Sequence, residues 1–310
     1  MQLIVDKVNK SFGANHVLKD ISFSVKSGIA YGLIGRNGSG KTTTIRVIMN
    51  LFPADSGVVT LDGVPTSKVS AKFGYLPEER GLYPKRVIAD QMAYIGELRG
   101  MKPADARKRG EALLEKLEAG EYYRKKLDTL SKGNQQKIQL AIALLNEPEI
   151  IILDEPFSGL DPVNAKLLKS LVSELVREGR TVIFSSHQMG NVEEFCDEIC
   201  MIDKGQIVLE GNLKAIKKTY PRNRVMIVPD GDDIADLRRK LDGIPEAKQL
   251  IDASEVTPRG CAVTLKSERE KGRLLALITQ SGIEVDSFTI IEPSLEEIFV
   301  ERAGSADETV

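Results

Sequence analysis

The chain of 310 residues contains no tryptophan, only two histidines and only three cysteines. An odd and sparse set of cysteines fits a reducing cytosol and argues against a disulfide framework. A zinc-type site would need more ligands, since His16 and His187 are far apart in the sequence. We therefore predict that Cys196, Cys200 and Cys261 are reduced packing residues.

Long apolar runs and an excess of one charge are also missing. No stretch approaches the ~20 consecutive apolar residues that a membrane-spanning helix needs, and the longest apolar strand, Ile150 to Leu153, is followed by two acids. The first residues lack a charged segment followed by an apolar one, so no secretory signal is expected. Lysine and arginine total 43 against 45 acidic residues, a net charge of −2, so we expect no nucleic-acid partner.

The apolar content of 42% and the length suit two domains. Residues 1–218 alternate strand-like and helix-like segments, with a helical subdomain at about 87–146, and this alternation predicts a mainly parallel sheet covered on both faces. The predicted strands are Val17–Val25, Tyr31–Ile34, Val58–Leu61, Glu149–Leu153, Thr181–Phe184 and Ile199–Ile202, and helices are predicted at Thr43–Leu51, Ala104–Leu117 and Val163–Val176.

A basic segment with a proline, 214–224, predicts a linker before a second domain at 222–302. There the order is strand, helix, two strands, helix and strand, followed by a last helix, which is typical of a small ferredoxin-like α+β domain. Residues 303–310 are small and polar and are predicted to form a tail. The expected elements are Arg224–Val228, Ile234–Leu241, Gln249–Asp252, Cys261–Leu265, Glu268–Ser281, Glu284–Thr289 and Leu295–Arg302.

The segment from Gly35 to Thr43 reads Gly-Arg-Asn-Gly-Ser-Gly-Lys-Thr-Thr, which is a complete phosphate-binding loop between a predicted strand and a predicted helix. Its glycines let backbone N–H groups point at phosphate oxygens, and the helix adds its N-terminal dipole. Lys41 adds positive charge beside the β- and γ-phosphates, and the Thr42 hydroxyl can ligate Mg²⁺. The alternative is a glycine-rich turn with a surface lysine. The residues expected to bind the nucleotide here are Gly35, Asn37, Gly38, Ser39, Gly40, Lys41, Thr42 and Thr43.

Two carboxylates, Asp154 and Glu155, end the apolar strand that begins near Ile150. In a parallel sheet this edge is where ligands bind. We predict that Asp154 holds Mg²⁺ and that Glu155 polarises a water for in-line attack on the γ-phosphate. Taken alone, the two acids could simply end a strand.

The segment Leu-Ser-Lys-Gly-Asn-Gln-Gln at 130–136 then opens an apolar-striped helix, and here the chain resembles the nucleotide-binding subunit of ABC transporters. In that family the motif is Leu-Ser-Gly-Gly-Gln, and it contacts the γ-phosphate held by the opposite subunit. The chain departs from it at Lys132 and Asn134 but keeps Ser131 and Gly133. The resemblance therefore implies that Ser131 and Gly133 contact a nucleotide.

Further motifs of the family follow in order. Asp161, in Ser-Gly-Leu-Asp, resembles the D-loop that crosses the dimer interface. His187, in Ser-Ser-His, resembles the switch histidine that contacts the γ-phosphate. Phe12, in Ser-Phe-Gly, stands where the family places an aromatic ring that stacks on adenine, with an ordinary core phenylalanine as the alternative.

The segment Tyr-Leu-Pro-Glu at 75–78 resembles the Q-loop, with Glu78 where glutamine is usual. In the family this residue touches Mg²⁺ and the attacking water, and a glutamate can also ligate Mg²⁺. Its loop faces the membrane subunit, so Arg80–Pro84 is the expected contact with that subunit. A plain surface loop is the alternative.

The resemblance covers residues 1 to about 218, while residues 222–302, through the closing segment Glu292–Phe299, resemble the accessory domain of a bacterial exporter subgroup that includes sodium- and drug-export ATPases. It implies an α/β fold, a P-loop NTPase ABC-type ATPase domain with a helical subdomain and a ferredoxin-like C-terminal domain. It also implies a cytoplasmic ATPase that uses ATP and Mg²⁺, closes as an ATP-sandwich homodimer, and powers a separately encoded membrane permease, as an exporter. The permease, not this chain, would meet the transported substrate.

Two other readings compete with this one. A soluble ABC-type ATPase acting on ribosomes or DNA would usually carry two cassettes or long insertions. This chain has one cassette, and no long insertion fits between Lys41 and Asp154. In the other reading, which is compatible with transport, the C-terminal domain is a regulatory ligand sensor. The fold alone does not establish that role.

Overall fold

The computed structural model describes residues 1–69, 73–79, 81–231 and 234–307. Its contacts divide the chain into two compact units, which we call the large unit (Met1–Leu213 with Leu295–Val310) and the small unit (Lys214–Ser294). The small unit is thus inserted into the chain of the large one. The division that we predicted, 1–218 and 222–302, differs in two respects, because it placed residues 214–218 in the first domain and the last helix in the second.

The strands of the described residues are β1 Gln2–Phe12, β2 Asn15–Lys26, β3 Ala30–Ile34, β4 Ser56–Leu61, β5 Val64–Pro65, β6 Phe73–Leu76, β7 Ile150–Asp154, β8 Thr181–Ser186, β9 Glu198–Asp203, β10 Gln206–Asn212, β11 Arg224–Pro229, β12 Ile251–Thr257, β13 Gly260–Leu265 and β14 Val285–Ile290. The α-helices are α1 Lys41–Ile48, α2 Ile88–Leu98, α3 Pro103–Lys116, α4 Lys132–Ala143, α5 Pro162–Arg177, α6 Met189–Phe195, α7 Leu213–Lys218, α8 Ile234–Asp242, α9 Pro245–Leu250, α10 Lys271–Gln280 and α11 Leu295–Asp307.

The predicted parallel sheet forms the centre of the large unit, with the strand order β10-β9-β3-β8-β7-β6. Its neighbours pair in parallel except β10, which runs antiparallel to β9. Every residue of β3, β7 and β8 is buried. Continuous apolar strands of this kind are expected where both faces of a sheet are covered.

A second sheet of the large unit, in the order β2-β1-β4-β5, is antiparallel. The prediction of one mainly parallel sheet missed it. Burial along β2 alternates between exposed and buried positions, a pattern typical of an antiparallel strand with one face on the core. The two sheets share a core, and the rings of Phe23 on β2 and Tyr31 on β3 stack with centroids 5.5 Å apart.

The segment predicted as helical, 87–146, contains α2, α3 and α4. The first two pack closely because small residues lie at their contact. A Cβ on Gly96 would stand 2.4 Å from the Cβ of Ala106, and one on Gly110 would stand 2.5 Å from Sδ of Met92. Larger side chains at these glycines would force the helices apart.

The small unit has the predicted ferredoxin-like order of elements. Its sheet runs β12-β13-β11-β14, and all neighbouring strands pair antiparallel. Apolar residues of α8, α9 and α10 pack against one face of this sheet. The helix α9 was not predicted, and β12 begins two residues after the predicted start and extends to Thr257.

The last helix, α11, belongs to the large unit and continues to Asp307. The predicted tail at 303–310 is therefore wrong up to that residue, and residues 308–310 lie outside the described part of the chain.

Cys196, Cys200 and Cys261 are free and buried, which confirms their prediction as packing residues. Within the described ranges we find no helix that combines the length and the hydropathy needed to span a bilayer.

Candidate active site

The phosphate loop joins β3 to α1, as predicted. Gly35, Gly38 and Gly40 have φ values of 155°, 78° and 112°, in the left-handed region that disfavours side chains. A Cβ on Gly35 would stand 2.2 Å from the carbonyl oxygen of Ile202 on β9, and one on Gly40 would stand 2.8 Å from Leu18 on β2. The loop can follow this path only because these positions have no side chain.

Replacing Gly35 by alanine is expected to destabilise the protein by about 1–3 kcal/mol, because the new methyl group must displace backbone of β9. Gly190→Ala on α6 is the matched control, since its Cβ would meet nothing within 4 Å. Urea unfolding of both variants measures the difference. A Gly35→Ala protein as stable as the control would contradict the reported loop geometry.

Lys41, the first residue of α1, is buried with its ammonium inside the loop. Its Nζ donates to the carbonyl oxygens of Gly35 at 2.9 Å and Arg36 at 3.2 Å, and it lies 3.7 Å from Oε1 of Glu155. Burial lowers the pKa of Lys41, and the charges of Glu155, Asp154 and Glu78 oppose that shift. The carboxylates therefore help to keep the lysine charged, as phosphate binding requires.

Asp154 and Thr42 meet where β7 ends beside α1. The Thr42 hydroxyl donates to Oδ1 of Asp154 at 3.3 Å, and the hydroxyl of Ser185 donates to the same oxygen. Oδ2 of Asp154 is buried and has no hydrogen-bond partner among the residues that the structure describes. A buried carboxylate oxygen without a partner is costly unless a ligand completes it.

Mg²⁺ fits this arrangement. The described residues contain no group of three or more His, Cys, Asp or Glu that could hold a metal on its own. Mg²⁺ does not need one, because it is commonly bound through one or two carboxylates together with water and substrate phosphates. The oxygens of Asp154 and Thr42, beside the phosphate loop, are of that kind.

Glu155 follows Asp154 and is turned into the same site by a left-handed backbone conformation, φ 50°. Its backbone N–H lies 3.2 Å from both the carbonyl oxygen and the hydroxyl of Ser185 on β8. Nδ1 of His187, which follows β8, lies 2.9 Å from Oε1 of the Glu155 carboxylate. The side chain of Glu155 is only 6% exposed, whereas that of His187 is 39% exposed.

A cavity of about 370 Å³ opens beside these groups. Glu78, from the segment that resembles the Q-loop, lines it together with the phosphate loop and Glu155. The structure thus brings most of the predicted nucleotide and metal residues together at one edge of the parallel sheet. The lining residues are Asn15, Val17, Asn37, Gly38, Gly40, Lys41, Thr42, Thr43, Glu78 and Glu155.

Phe12 ends β1 at the hairpin that leads to β2. It pairs with Asn15, a residue of the cavity lining. Its side chain is 46% exposed, which is inconsistent with an ordinary core phenylalanine. Its ring makes an edge-to-face contact with Phe52, at 5.7 Å between centroids, and the ammonium of Lys10 lies 5.5 Å from the ring centroid.

Ser131, Gly133 and Asp161 form a separate group at the starts of α4 and α5. Ser131 and Asp161 cap these helices by accepting from the N–H groups of Asn134 and Asn164. A Cβ on Gly133 would stand 3.3 Å from the amide nitrogen of Asn164, so the two helix starts are neighbours. Among the described residues that line the cavity, none comes from this group.

Sequence reasoning missed Ser185, which holds both acids in place. Alignment of the two predicted parallel strands could have indicated this residue, because Ser185 stands directly opposite Asp154 in the pairing of β7 and β8. It also missed Asn15, and Gln136, whose side-chain amide donates to the carbonyl of Pro156. That contact ties α4 to the segment after Glu155, and no local pattern shows it.

Known proteins agree with this geometry. The ABC transporter family matches residues 18–158, and the C-terminal domain of DrrA1-3-like ATP-binding proteins matches residues 211–303. YhaQ of Bacillus subtilis, an uncharacterized ABC transporter ATP-binding protein, is 40% identical over 307 residues, which cover 99% of this chain and 100% of YhaQ. The linearmycin resistance ATP-binding protein LnrL of the same organism is 34% identical, over 97% of this chain and 98% of LnrL.

Solved structures of ABC transporter cassettes resemble about 70% of this chain. An ATP-binding subunit of an ABC transporter has a TM-score of 0.65 and 29% identity, covering 71% of this chain and 93% of that one. A bacterial ABC transporter cassette solved as a dimer has a TM-score of 0.63 and 25% identity, covering 68% and 98%. The family matches, the full-length relatives and these folds all agree with the phosphate loop and the acid pair. The chain therefore belongs to the ATP-binding proteins of ABC transporters, with a DrrA-like C-terminal domain, and is an ATPase of the kind that hydrolyses ATP to power transport.

Proposed function

We propose that this chain is the ATP-driven subunit of an exporter whose membrane permease is a separate protein, and that two copies close around two ATP molecules. One observation carries the proposal. Lys41 and Glu155 line one cavity, and Asp154 and His187 contact residues of its lining. Ser131 and Gly133 form a separate group. A second copy could bring that group to the open side of the cavity and complete the site.

Each residue at the cavity has a role that its position supports. Lys41 and the loop N–H groups bind the β- and γ-phosphates. Thr42 and Asp154, with Glu78 at the cavity wall, would hold Mg²⁺, which supplies charge stabilisation of the transferring phosphoryl group when bound. Phe12 would stack on adenine through its exposed ring.

Glu155 is the proposed general base. Its carboxylate accepts a proton from the attacking water as the oxygen of that water approaches phosphorus in line with the leaving oxygen. His187, 2.9 Å from Oε1, orients this carboxylate and can reach the γ-phosphate from its exposed side. Because Lys41 contacts the same oxygen at 3.7 Å, phosphate binding and base positioning are linked.

In the proposed dimer, Ser131 and Gly133 of one copy meet the γ-phosphate bound to the other. A helix start offers N–H groups and a favourable dipole to an anion. Asp161 lies beside them through Asn164, whose amide donates to its carboxylate at 2.6 Å, and would contact the second copy. Closure on ATP and opening after hydrolysis would drive the permease.

Export is proposed from the relatives. The family includes a linearmycin resistance ATP-binding protein and Nod factor export ATP-binding proteins, the latter 30% to 33% identical to this chain. The DrrA-like C-terminal domain is a second resemblance to this subgroup. The ATPase would then act at the inner face of the cell membrane, held there by the permease.

The proposed permease contact is a groove of about 420 Å³ beside the segment predicted for this role, Arg80–Pro84. Arg80 itself lies outside the described residues. The side chains of Tyr83 and Tyr94 are 57% and 51% exposed there. Buried Gln91 fixes the groove, since it accepts from the N–H of Tyr83 at 2.9 Å and donates to the carbonyl of Arg86 at 3.1 Å. The loop also leads back to Glu78 at the nucleotide cavity, so it can transmit the closure of the dimer to the permease.

The double substitution Tyr83→Ser and Tyr94→Ser is expected to reduce co-purification of a multi-span membrane protein about 10-fold or more, because exposed aromatic anchors dominate interfaces. The measurement is an affinity pull-down of the tagged chain from gently solubilised native membranes, with partners identified by mass spectrometry. Val64→Ser is the control, since Val64 is an exposed apolar residue of β5 in the antiparallel sheet.

The wild-type pull-down tests the proposed function itself. A multi-span protein at matching stoichiometry supports the transporter, and its own sequence would narrow the substrate. Ribosomal proteins or DNA-repair factors, with nothing membrane-embedded, would favour the soluble ATPase. Capture that persists unchanged in the double variant would contradict the assignment of the groove.

A further inference from the structure

The last helix of the chain returns to the nucleotide site. The chain leaves the large unit at Leu213, forms the whole small unit, and re-enters the large unit as α11. Leu295, Ile298 and Phe299 of this helix are almost fully buried. The helix itself lies against α6 and β10 of the large unit. This helix is therefore part of the ATPase core even though it follows the accessory domain in sequence.

Phe299 contacts the phosphate loop directly. The guanidinium carbon of Arg36 lies 5.2 Å from the centroid of its ring, within the range of a cation–π interaction. Phe299 is 2% exposed, whereas Arg36 is an exposed residue of the loop. The arginine side chain therefore lies over the ring and holds one point of an otherwise glycine-rich loop against α11.

The backbone of Arg36 helps to place Lys41. Its carbonyl oxygen accepts from Nζ of Lys41 at 3.2 Å and from the N–H of Ser39 at 3.2 Å. The ring contact fixes the side chain of the same residue. Because the neighbouring glycines allow many backbone conformations, an anchor at Arg36 reduces the freedom of the carbonyl that orients the lysine.

A second contact ties the helix to the other side of the site. The N–H of Leu295 donates to the carboxylate of Glu193 on α6 at 2.9 Å. That helix begins at Met189, directly after the segment that carries His187. The N-terminal part of α11 thus contacts the loop that holds the lysine through Phe299, and the helix that follows the histidine through Leu295.

We propose that Phe299 is a positioning residue for ATP binding, because it anchors Arg36 and through it the carbonyl that orients Lys41. The proposal rests on the proposed role of Lys41 at the phosphates. The closing helix α11 then has a function in the ATPase site, separate from any role of the small unit that precedes it in the chain. Loss of the ring should raise the KM for ATP by a larger factor than it lowers kcat, since Glu155 keeps its contacts with Ser185 and His187.

The test is a double-mutant cycle with Phe299→Leu, Arg36→Ala and the double variant, all in the full chain. Leucine keeps an apolar side chain in place but removes the ring. We expect the KM and the Kd for ATP to rise about 3- to 20-fold in Phe299→Leu, the range of a cation–π contact. In the Arg36→Ala background the same substitution should have almost no further effect.

Hydrogen exchange of residues 35–41 in the nucleotide-free protein gives a readout that does not depend on activity. Exchange should be faster in Phe299→Leu than in wild type, and unchanged in Ile298→Val, a buried control on the same helix. An equal effect of Phe299→Leu in both Arg36 backgrounds, or unaltered exchange of the loop, would reduce Phe299 to a packing residue and overturn the proposal. A wild-type protein that fails to bind ATP would instead contradict the proposed function.

Discussion

Glu155→Gln is expected to lower the kcat for ATP hydrolysis by about 10²–10⁴-fold, the usual contribution of a general base. Glutamine has nearly the same shape but cannot accept the proton of the attacking water. The backbone of residue 155 is held by Ser185, so the fold and the ATP site should persist. ATP affinity should be similar to that of wild type or higher, because a negative charge near the γ-phosphate is removed.

Steady-state hydrolysis and equilibrium binding of ATP, measured on the same preparations, separate these effects. Glu149→Gln is the matched control, since this exposed glutamate precedes the opposite end of β7. Its kcat should equal that of wild type. Turnover that survives in Glu155→Gln would show that another group activates the water.

Lys41→Ala is expected to weaken ATP binding by about 10- to 100-fold, since hydrogen bonds to a charged group contribute about 1.5–3 kcal/mol. Hydrolysis should fall further, because the lysine also approaches Oε1 of Glu155 at 3.7 Å. Without it, the carboxylates of Glu155, Asp154 and Glu78 would face the phosphates with less compensation. Lys41→Arg should not restore activity, because a planar guanidinium does not replace the compact ammonium of lysine at this buried position.

Binding of ATP and its hydrolysis are measured for Lys41→Ala beside Lys166→Ala, an exposed lysine of α5. The control should match wild type in both assays. Near-normal turnover in Lys41→Ala would remove the lysine from the mechanism, and lost folding, seen by thermal unfolding, would show a structural role instead.

Local signals in the sequence were sufficient for the centre of the site. The phosphate loop needs glycines at fixed spacing, and the two acids follow directly on the apolar run of β7, so each feature lies within a short window of its own. The position of the site at one edge of the sheet then follows from the topology, because the carboxyl ends of parallel strands lie on the same side. The ferredoxin-like order of the small unit was also predictable from its alternating elements.

Elements that depend on distant contacts were harder to predict. β1 was missed because its buried residues, Leu3, Val5 and Val8, break the alternation where the pairing register shifts near Lys7, whose φ is 46°. Such a bulge moves later side chains to the other face. The helix α11 was assigned to the wrong unit, because its apolar face could equally have packed on the small unit. No sequence pattern within the helix indicates that Phe299 contacts Arg36.

The most direct test of the ATP-driven dimer is the mass of the Glu155→Gln protein in solution, by size-exclusion chromatography with light scattering. With ATP and Mg²⁺ we expect twice the monomer mass, and with ADP the monomer, since Ser131 and Gly133 of one copy need the γ-phosphate bound to the other. When Ser131→Arg is added to the Glu155→Gln protein, it places a bulky charge at that contact, and the protein should remain monomeric with ATP. A monomer in all three conditions, under concentrations at which ATP binding is saturated, would contradict the sandwich dimer and the mechanism built on it.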